Sequence, residues 1–258
     1  YKMKNLIKNF FKSLGLKIQR IHPDIEELSF DEIYLRFFKS PIIFDVGANE
    51  GQSIDRFKKM FKNSIIHSFE PNPNEFKILK NKYSKDKSII LNNFAVGENN
   101  SEGTFNISAR SGSSSMLEIK KNTDWLKKRS KQLSIEPDKF IKERIKVKTM
   151  SIDSYCKTYN IEKIDILKID TQGYEDKVLK GCNEILKKQL INFIEMEIIQ
   201  KEAYEKYFSF LDLESLIIPH NYRLCSIELS NNNIFKGTVF VTDNLYVNKN
   251  FLVQEEKN

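Results

Sequence analysis

The chain has 258 residues, 40% of them hydrophobic, 12% aromatic and 30% charged. That balance excludes a disordered chain and suits one sizeable domain with a small appendage. The net charge of +7 is dispersed, with modest clusters at Lys120-Lys121 and Lys127-Lys128-Arg129, which argues against a dedicated nucleic-acid face.

Residues 1–40 read as a helical extension. Its first segment (Lys2, Lys4, Leu6, Ile7, Lys8, Phe10, Phe11, Lys12, Leu14) is basic and amphipathic, unlike a signal peptide. The expected role is packing on the domain's flank, with weak contact to a membrane surface as the alternative. No run approaches the ~20 apolar residues of a bilayer span. Pro23-Asp24 opens a second helix with Ile25, Leu28, Ile33, Leu35 and Phe38 on its apolar face, and Pro41 breaks the pattern.

The main domain is expected over 41–258. Strand 42–46, helix 52–62 (Ile54, Phe57, Met60 and Phe61 inward), strand 65–69, helix 73–83 (Phe76, Leu79 and Tyr83 inward) and strand 88–96 alternate. Such alternation predicts a parallel sheet covered on both faces. Residues 97–150 then break the rhythm: a turn at Gly97-Glu98-Asn99-Asn100, a short strand 104–107, a flexible loop Ser111–Ser115, a charged helix 120–133 carrying Trp125, and a strand 145–150. This segment is read as an insertion at the carboxyl edge of the sheet, closing over a substrate.

Alternation resumes with a helix capped at Ser151-Ile152-Asp153 and running to about Asn160, strand 164–169, helix 173–187, strand 190–198 and a helix over about 205–217. Strands 222–229 and 239–247, joined by a turn at Asn231-Asn232-Asn233, complete the sheet as an antiparallel pair. The three cysteines, Cys156, Cys182 and Cys225, have no metal or disulfide spacing. They read as small buried apolar residues in a reducing, cytoplasmic setting.

Two stretches carry chemistry. In Phe44-Asp45-Val46-Gly47-Ala48-Asn49-Glu50-Gly51 an apolar strand runs into a tight two-glycine turn and then a helix, and the next strand ends in Glu70-Pro71-Asn72. This is how an α/β sheet holds an adenosine-containing cofactor. The third glycine of a dinucleotide site is missing, so the turn favours S-adenosylmethionine (SAM). Asp45 suits the cationic methionine portion, the N–H groups around Gly47, Ala48, Asn49, Gly51 and Ser53 suit its carboxylate, and Glu70 suits the ribose diol.

The second stretch is Lys168-Ile169-Asp170-Thr171-Gln172-Gly173-Tyr174 at the end of a central strand. Asp170 reads either as the group that handles an acceptor hydroxyl or as the cap of the next helix. Lys168 needs a partner if buried. Glu195 and Glu197 alternate onto one face of the following strand. With Asp170 they would suit a divalent ion if one is required, and without one Asp170 or Glu195 would be the base. Ser114, Ser115, Trp125, Tyr174 and His220 are the candidates for substrate contact, His220 in a loop placed near the sheet's carboxyl end. His67 reads as a core histidine.

The ordered set FDVGANEGQS (44–53), SFEPNPNEF (68–76), NNFAVGENNSEGTF (92–105), SGSSSM (111–116), SIDSYC (151–156), ILKIDTQGYEDKVLKG (166–181) and INFIEMEI (191–198) resembles the FkbM family of methyltransferases. The resemblance covers roughly residues 41–247. It implies a Rossmann-like class I methyltransferase fold with a mostly parallel seven-stranded sheet. It also implies SAM as cofactor and O-methylation of a hydroxyl, often on a sugar or a secondary metabolite. By motif position Asp45, Gly47, Asn49, Gly51 and Glu70 bind SAM, and Lys168 and Asp170 lie at the reaction centre. The family usually reads Asp-x-Glu-Gly where this chain has Asp170-Thr171-Gln172-Gly173, so Asp170 carries the expected role.

The expected substrate is a small-molecule or nucleotide-linked sugar destined for a capsule, lipopolysaccharide or other surface glycan, and not a nucleic acid. A non-sugar acceptor (lipid, polyketide or phosphate derivative) and a non-catalytic binding module are the alternatives. Neither metal dependence nor oligomeric state follows from the sequence.

Overall fold

A computed structural model describes residues 10, 11, 13, 28–200, 202–206, 208–229, 235 and 238–255. The Pro23-Asp24 helix start, the Asn231–Asn233 turn and most of the basic N-terminal segment lie outside the described residues.

Helix α1 (Phe30–Phe37) begins at its own capping box, in which Ser29 and Glu32 satisfy each other's backbone N–H groups. That start sets the phase of the helix. Phe30 and Tyr34 turn inward, one helical turn apart, while Leu35 is left 53% exposed. The apolar face expected to include Leu35 is therefore rotated. The chain continues as β1 (Ile42–Val46), α2 (Gln52–Met60), β2 (Ile65–Phe69), α3 (Pro73–Tyr83) and β3 (Ile89–Asn92).

The expected single strand 88–96 is two strands in two sheets. At Asn93-Phe94 the chain leaves the main sheet, and Ala95–Val96 forms β4 of a second one. Asn93 secures the departure by donating its side-chain amide to the carbonyl of Glu70 at 2.8 Å. The second sheet has order β4-β6-β5, built from β5 (Ser101–Ser108) and β6 (Ile141–Met150), and α4 (Asp124–Leu133) joins these two.

The main sheet resumes through α5 (Ile152–Tyr159), β7 (Ile164–Ile169), α6 (Glu175–Lys180), α7 (Asn183–Lys187) and β8 (Ile191–Ile199). The single helix expected over 173–187 breaks at Gly181-Cys182. The helix expected over 205–217 is only α8 (Phe210–Glu214), capped by Ser209 and Asp212. Strands β9 (Tyr222–Leu229) and β10 (Val241–Asn248) and helix α9 (Lys249–Glu255) end the described chain.

The seven-stranded sheet has order β3-β2-β1-β7-β8-β10-β9. Only β10 runs antiparallel to its neighbours β8 and β9. Helices α5 to α8 bury Tyr155, Val178, Leu186 and Leu213 against one face. Helices α1, α2, α3 and α9 bury Tyr34, Phe57, Leu79 and Phe251 against the other. Each fully buried aromatic or aliphatic side chain contributes roughly 1.5–3 kcal/mol. Strand order reverses between β1 and β7, so the crevice outside their carboxyl ends is where this architecture takes a ligand. Among the described residues no helix is long and apolar enough to cross a membrane. Cys156 and Cys182 are buried as expected, but Cys225, on edge strand β9, is exposed.

Candidate active site

A cavity of about 460 Å³ opens at that crevice, within the usual size of small-molecule sites. Its near wall is the turn after β1. Gly47 and Gly51 have φ of +87° and +94°, and Asn49 joins them at +48°. At Gly47 the conformation and the space both demand glycine: a Cβ would fall 1.9 Å from the carbonyl oxygen of Asp170. The backbone N–H groups of Gly47 and Ala48 both donate to Phe69 O, at 3.0 and 3.1 Å. The turn is thereby tied to the end of β2, where Glu70 begins.

Glu70 is 5% exposed and lines the cavity. Its oxygens accept the N–H groups of Asn49 at 2.8 Å and Asn72 at 2.7 Å. Burial nevertheless pushes its pKa up to about 7, because two amide donors do not replace a full hydration shell. A vicinal diol would supply the missing donors. Apolar Val46, Phe69, Pro71, Ala95 and Val96 border this end, which suits a flat heteroaromatic ring. The donor set fits SAM. Gly47, Ala48, Asn49, Ser53, Glu70, Pro71 and Asn72 line the cavity.

Asp45 does not line it. Alternation along β1 turns its side chain to the α2 face, with Ile43, while Phe44 and Val46 take the other. It is fully buried, neither oxygen has a hydrogen-bond partner, and burial raises its pKa to about 6 against the pull of Lys168. Asp45, Lys168 and Glu195 are direct cross-strand neighbours on β1, β7 and β8. Lys168 thus sits between two acids within the sheet, and Asp170 adds a third at 3.5 Å. Burial alone would lower its pKa; Asp170, Asp45 and Glu195 outweigh that and raise it.

Glu195 is already engaged, accepting from Arg56 Nη1 at 2.6 Å and from the Tyr34 hydroxyl at 2.8 Å. It is neither a free base nor an available metal ligand. Among the described residues no group of three or more His, Cys, Asp or Glu side chains could hold a metal ion.

Asp170 lies on the cavity wall with its side chain one-third exposed (33%). It does not cap the next helix. That loop is held from the other side, where the Glu175 carboxylate accepts from Thr171 N, Thr171 Oγ1 and Gly173 N at 3.0–3.1 Å. Gln172, at φ +56°, donates through Nε2 to Asp170 Oδ1 at 2.9 Å and to Glu197 Oε2 at 2.6 Å. Burial and repulsion from Asp170 hold Glu197 well above the usual carboxylate range. One neutral amide therefore bridges two carboxylates and leaves Asp170 Oδ2 facing Lys168.

The far wall comes from the segment before α4. Arg110, Ser111, Gly112, Ser114 and Met116 line the cavity, as do Phe105 and Tyr174. The wall is clipped to the β7 loop: Ser115 Oγ donates to Gln172 O at 2.9 Å, and the buried Tyr204 hydroxyl reaches Ser113 O at 3.2 Å and Gln172 Oε1 at 3.3 Å.

Of the expected substrate residues, Ser114 and Tyr174 reach the cavity and three do not. Ser115 spends its hydroxyl on the clip. Trp125 is 4% exposed, packed on Phe140 and Tyr204 in the interior between α4 and the sheets. His220 sits at the opposite end of the main sheet. The Tyr222↔Asn248 and Val247↔Phe193 pairings place its turn at the amino ends of the parallel strands, because β10 reverses direction between β8 and β9. Sequence reading missed Arg110 and Tyr204. Arg110 is a lone cation at the edge of a serine-rich run, and Tyr204 carries no motif.

A family profile described as the methyltransferase FkbM domain matches residues 45–224. The chain belongs to the FkbM methyltransferase family. This FkbM chain is 26% identical over 165 residues to 2-O-methyltransferase NoeI of Sinorhizobium fredii, covering 64% of this chain and 66% of that one. It is 28% identical over 162 residues to methyltransferase sdnD of Sordaria araneosa, covering 56% and 61%. The match thus spans a little under two thirds of each relative's length. Its fold is shared with the methyltransferase FkbM crystal structure from Methylobacillus flagellatus, at TM-score 0.53 and 19% identity, over 85% of this chain and 46% of that one. The FkbM profile begins at Asp45 and runs to Leu224, so it takes in both walls of the cavity.

Proposed function

We propose that the protein is a SAM-dependent O-methyltransferase acting on a sugar hydroxyl, in a nucleotide-linked sugar or a surface glycan such as capsule or lipopolysaccharide. The observation that carries this reading is one continuous cavity joining the Gly47 turn and Glu70 to Asp170. The NoeI relative is a 2-O-methyltransferase, which supports a hydroxyl acceptor.

Gly47, Ala48, Asn49 and Ser53 would hold the methionine end of the cofactor, and Glu70 its ribose. Bound SAM supplies an electrophilic methyl group on its sulfonium. Asp170 accepts the proton of the acceptor hydroxyl at Oδ2, the oxygen that Gln172 leaves open. Lys168 Nζ, 3.5 Å from that oxygen, holds the carboxyl group in place. The segment 97–150 closes over the acceptor and limits water. Work on sugar precursors would place the enzyme in the cytoplasm, where Cys156, Cys182 and Cys225 stay reduced.

Calorimetric titration with S-adenosylhomocysteine (SAH), with NAD as comparison, tests the cofactor. Micromolar binding of SAH alone is expected; preference for NAD sinks the reading. SAH binding without SAM turnover on any panel of sugar acceptors would mark a non-catalytic binding module instead.

A further inference from the structure

The cavity is electrically lopsided. Among the described residues that line it, Glu50, Glu70, Glu75 and Asp170 are acidic and Arg110 is the only basic one. The acids at the Glu70 end match the ribose and ammonium of the cofactor. Arg110 stands on the other wall, in the segment clipped to Gln172 and close enough to Tyr204 for its charge to oppose, in small part, the rise that burial and nearby acids impose on that hydroxyl's pKa. Its exposed guanidinium makes no hydrogen bond or ion pair with any described residue.

Its backbone, by contrast, is fixed. Arg110 O accepts from Ser108 Oγ at 2.5 Å and from Ser113 N at 2.8 Å. A second guanidinium, that of the buried Arg129, lies within reach of its field; burial and then Arg110's charge push Arg129 down to about 10. Like charges held near one another are relieved by an anion. Beside Arg110, the Ser114 hydroxyl accepts from Ser108 N at 3.1 Å, which leaves its own proton to donate. Ser111 adds another hydroxyl, and Gly112 leaves open space, with nothing within 4 Å of where a Cβ would stand.

We propose that Arg110, with Ser111 and Ser114, anchors a phosphoryl group on the acceptor, so that a phosphorylated or diphosphate-linked sugar enters with its hydroxyl toward Asp170. A guanidinium fork flanked by two hydroxyl donors serves a tetrahedral, multiply charged oxyanion. This assignment rests on the methyltransferase reading of the cavity and names the substrate class that the reading leaves broad. Arg110 is a specificity residue: it touches the anionic handle and no reacting atom.

The test uses the full chain saturated with SAH and titrated at low ionic strength with inorganic phosphate and with pyrophosphate. Wild-type protein binds at least one of them. Arg110→Ala weakens that binding at least tenfold, Arg110→Lys falls between, and melting temperature and SAH affinity stay unchanged. Tighter pyrophosphate binding indicates a diphosphate-linked sugar; phosphate binding at least as tight indicates a monoester. Absence of anion binding to the wild type overturns the assignment. So does binding that Arg110→Ala leaves intact, since that reports an adventitious ion only. A loss of SAH affinity in Arg110→Ala overturns it too, because Arg110 would then pair with the cofactor's carboxylate. Failure of the wild type to bind SAH brings down the methyltransferase reading itself, a result separate from any of these.

Discussion

The two walls of the cavity are made in different ways. The wall proposed for the cofactor is local: Gly47, Asn49, Ser53 and Glu70 fall within 24 residues, and two backbone bonds to Phe69 hold the turn in place. The wall proposed for the acceptor is collected from far along the chain, with Tyr204 reaching 91 residues back to Ser113 and Ser115 reaching 57 residues forward to Gln172. A local wall tolerates almost no change in its backbone. A collected wall is held by side-chain clips and can be retuned one contact at a time.

The largest expected effect tests the first half of that contrast. Gly47→Ala would place a methyl group against the Asp170 carbonyl at a φ of +87°. The left-handed conformation alone costs about 1–2 kcal/mol, and the overlap adds to it. SAH binding should vanish and the melting temperature fall sharply in circular dichroism. Normal SAH affinity in this variant would show that the turn is not the cofactor wall.

Next comes the separation of the walls. Asp170→Asn should lower turnover by about 10²–10⁴-fold, the usual range for loss of a general base, with SAH affinity held within about twofold. A parallel loss of both would mean that the walls act as one unit and that Asp170 is not a base.

A smaller effect is set by pH. Glu70 titrates at about 7 in the free protein, above the ordinary glutamate value of 4.5. Ribose hydroxyls donate to the ionised form. SAH affinity should therefore fall as pH drops through 7, approaching about tenfold per unit well below it. The ligand-free protein follows the opposite sign. The raised pKa means that the folded state holds this proton more tightly, so its contribution to stability is complete below 4.5 and is lost as pH rises through about 7. Calorimetry and melting curves from pH 5 to 8 read both slopes. Glu70→Gln should flatten the binding slope.

The mildest change retunes the acceptor wall. Gln172→Glu replaces a donating amide with a third acid beside Asp170 and Glu197. The turnover–pH profile should move upward by about one unit, with SAH affinity unchanged. A profile that stays put would show that the amide bridge does not govern the base.

The same contrast explains what could be read in advance. The seven strands of the main sheet, the Gly47 turn and Glu70 were legible because apolar periodicity and turn chemistry are short-range. The split of strand 88–96 was not, because Asn92-Asn93 stands there without a Gly or Pro and the second sheet forms only when β6 arrives some fifty residues later. Asp45 and Glu195 have the right chemistry on strands beside the crevice. Alternation buries the first, and Arg56 and Tyr34, 139 and 161 residues earlier in the chain, partner the second. Trp125, the lone tryptophan in a charged helix, has the chemistry of a substrate contact but not the position. Its ring instead fills the interior beneath α4.

The junction of the two sheets has a further consequence. Where the chain leaves the main body it forms β4, and β4 pairs with the end of β6, the strand by which it returns. The bond from Gly97 N to Met150 O, at 3.1 Å, seals exit and entry side by side. A segment whose ends meet in this way can vary in length without displacing the main sheet, provided that its replacement rebuilds the contacts to Gln172, Ala203 and Tyr204. Descendants of one ancestral enzyme could acquire new acceptors by replacing what lies between Val96 and Met150, and an engineer could graft a foreign cassette at the same seam.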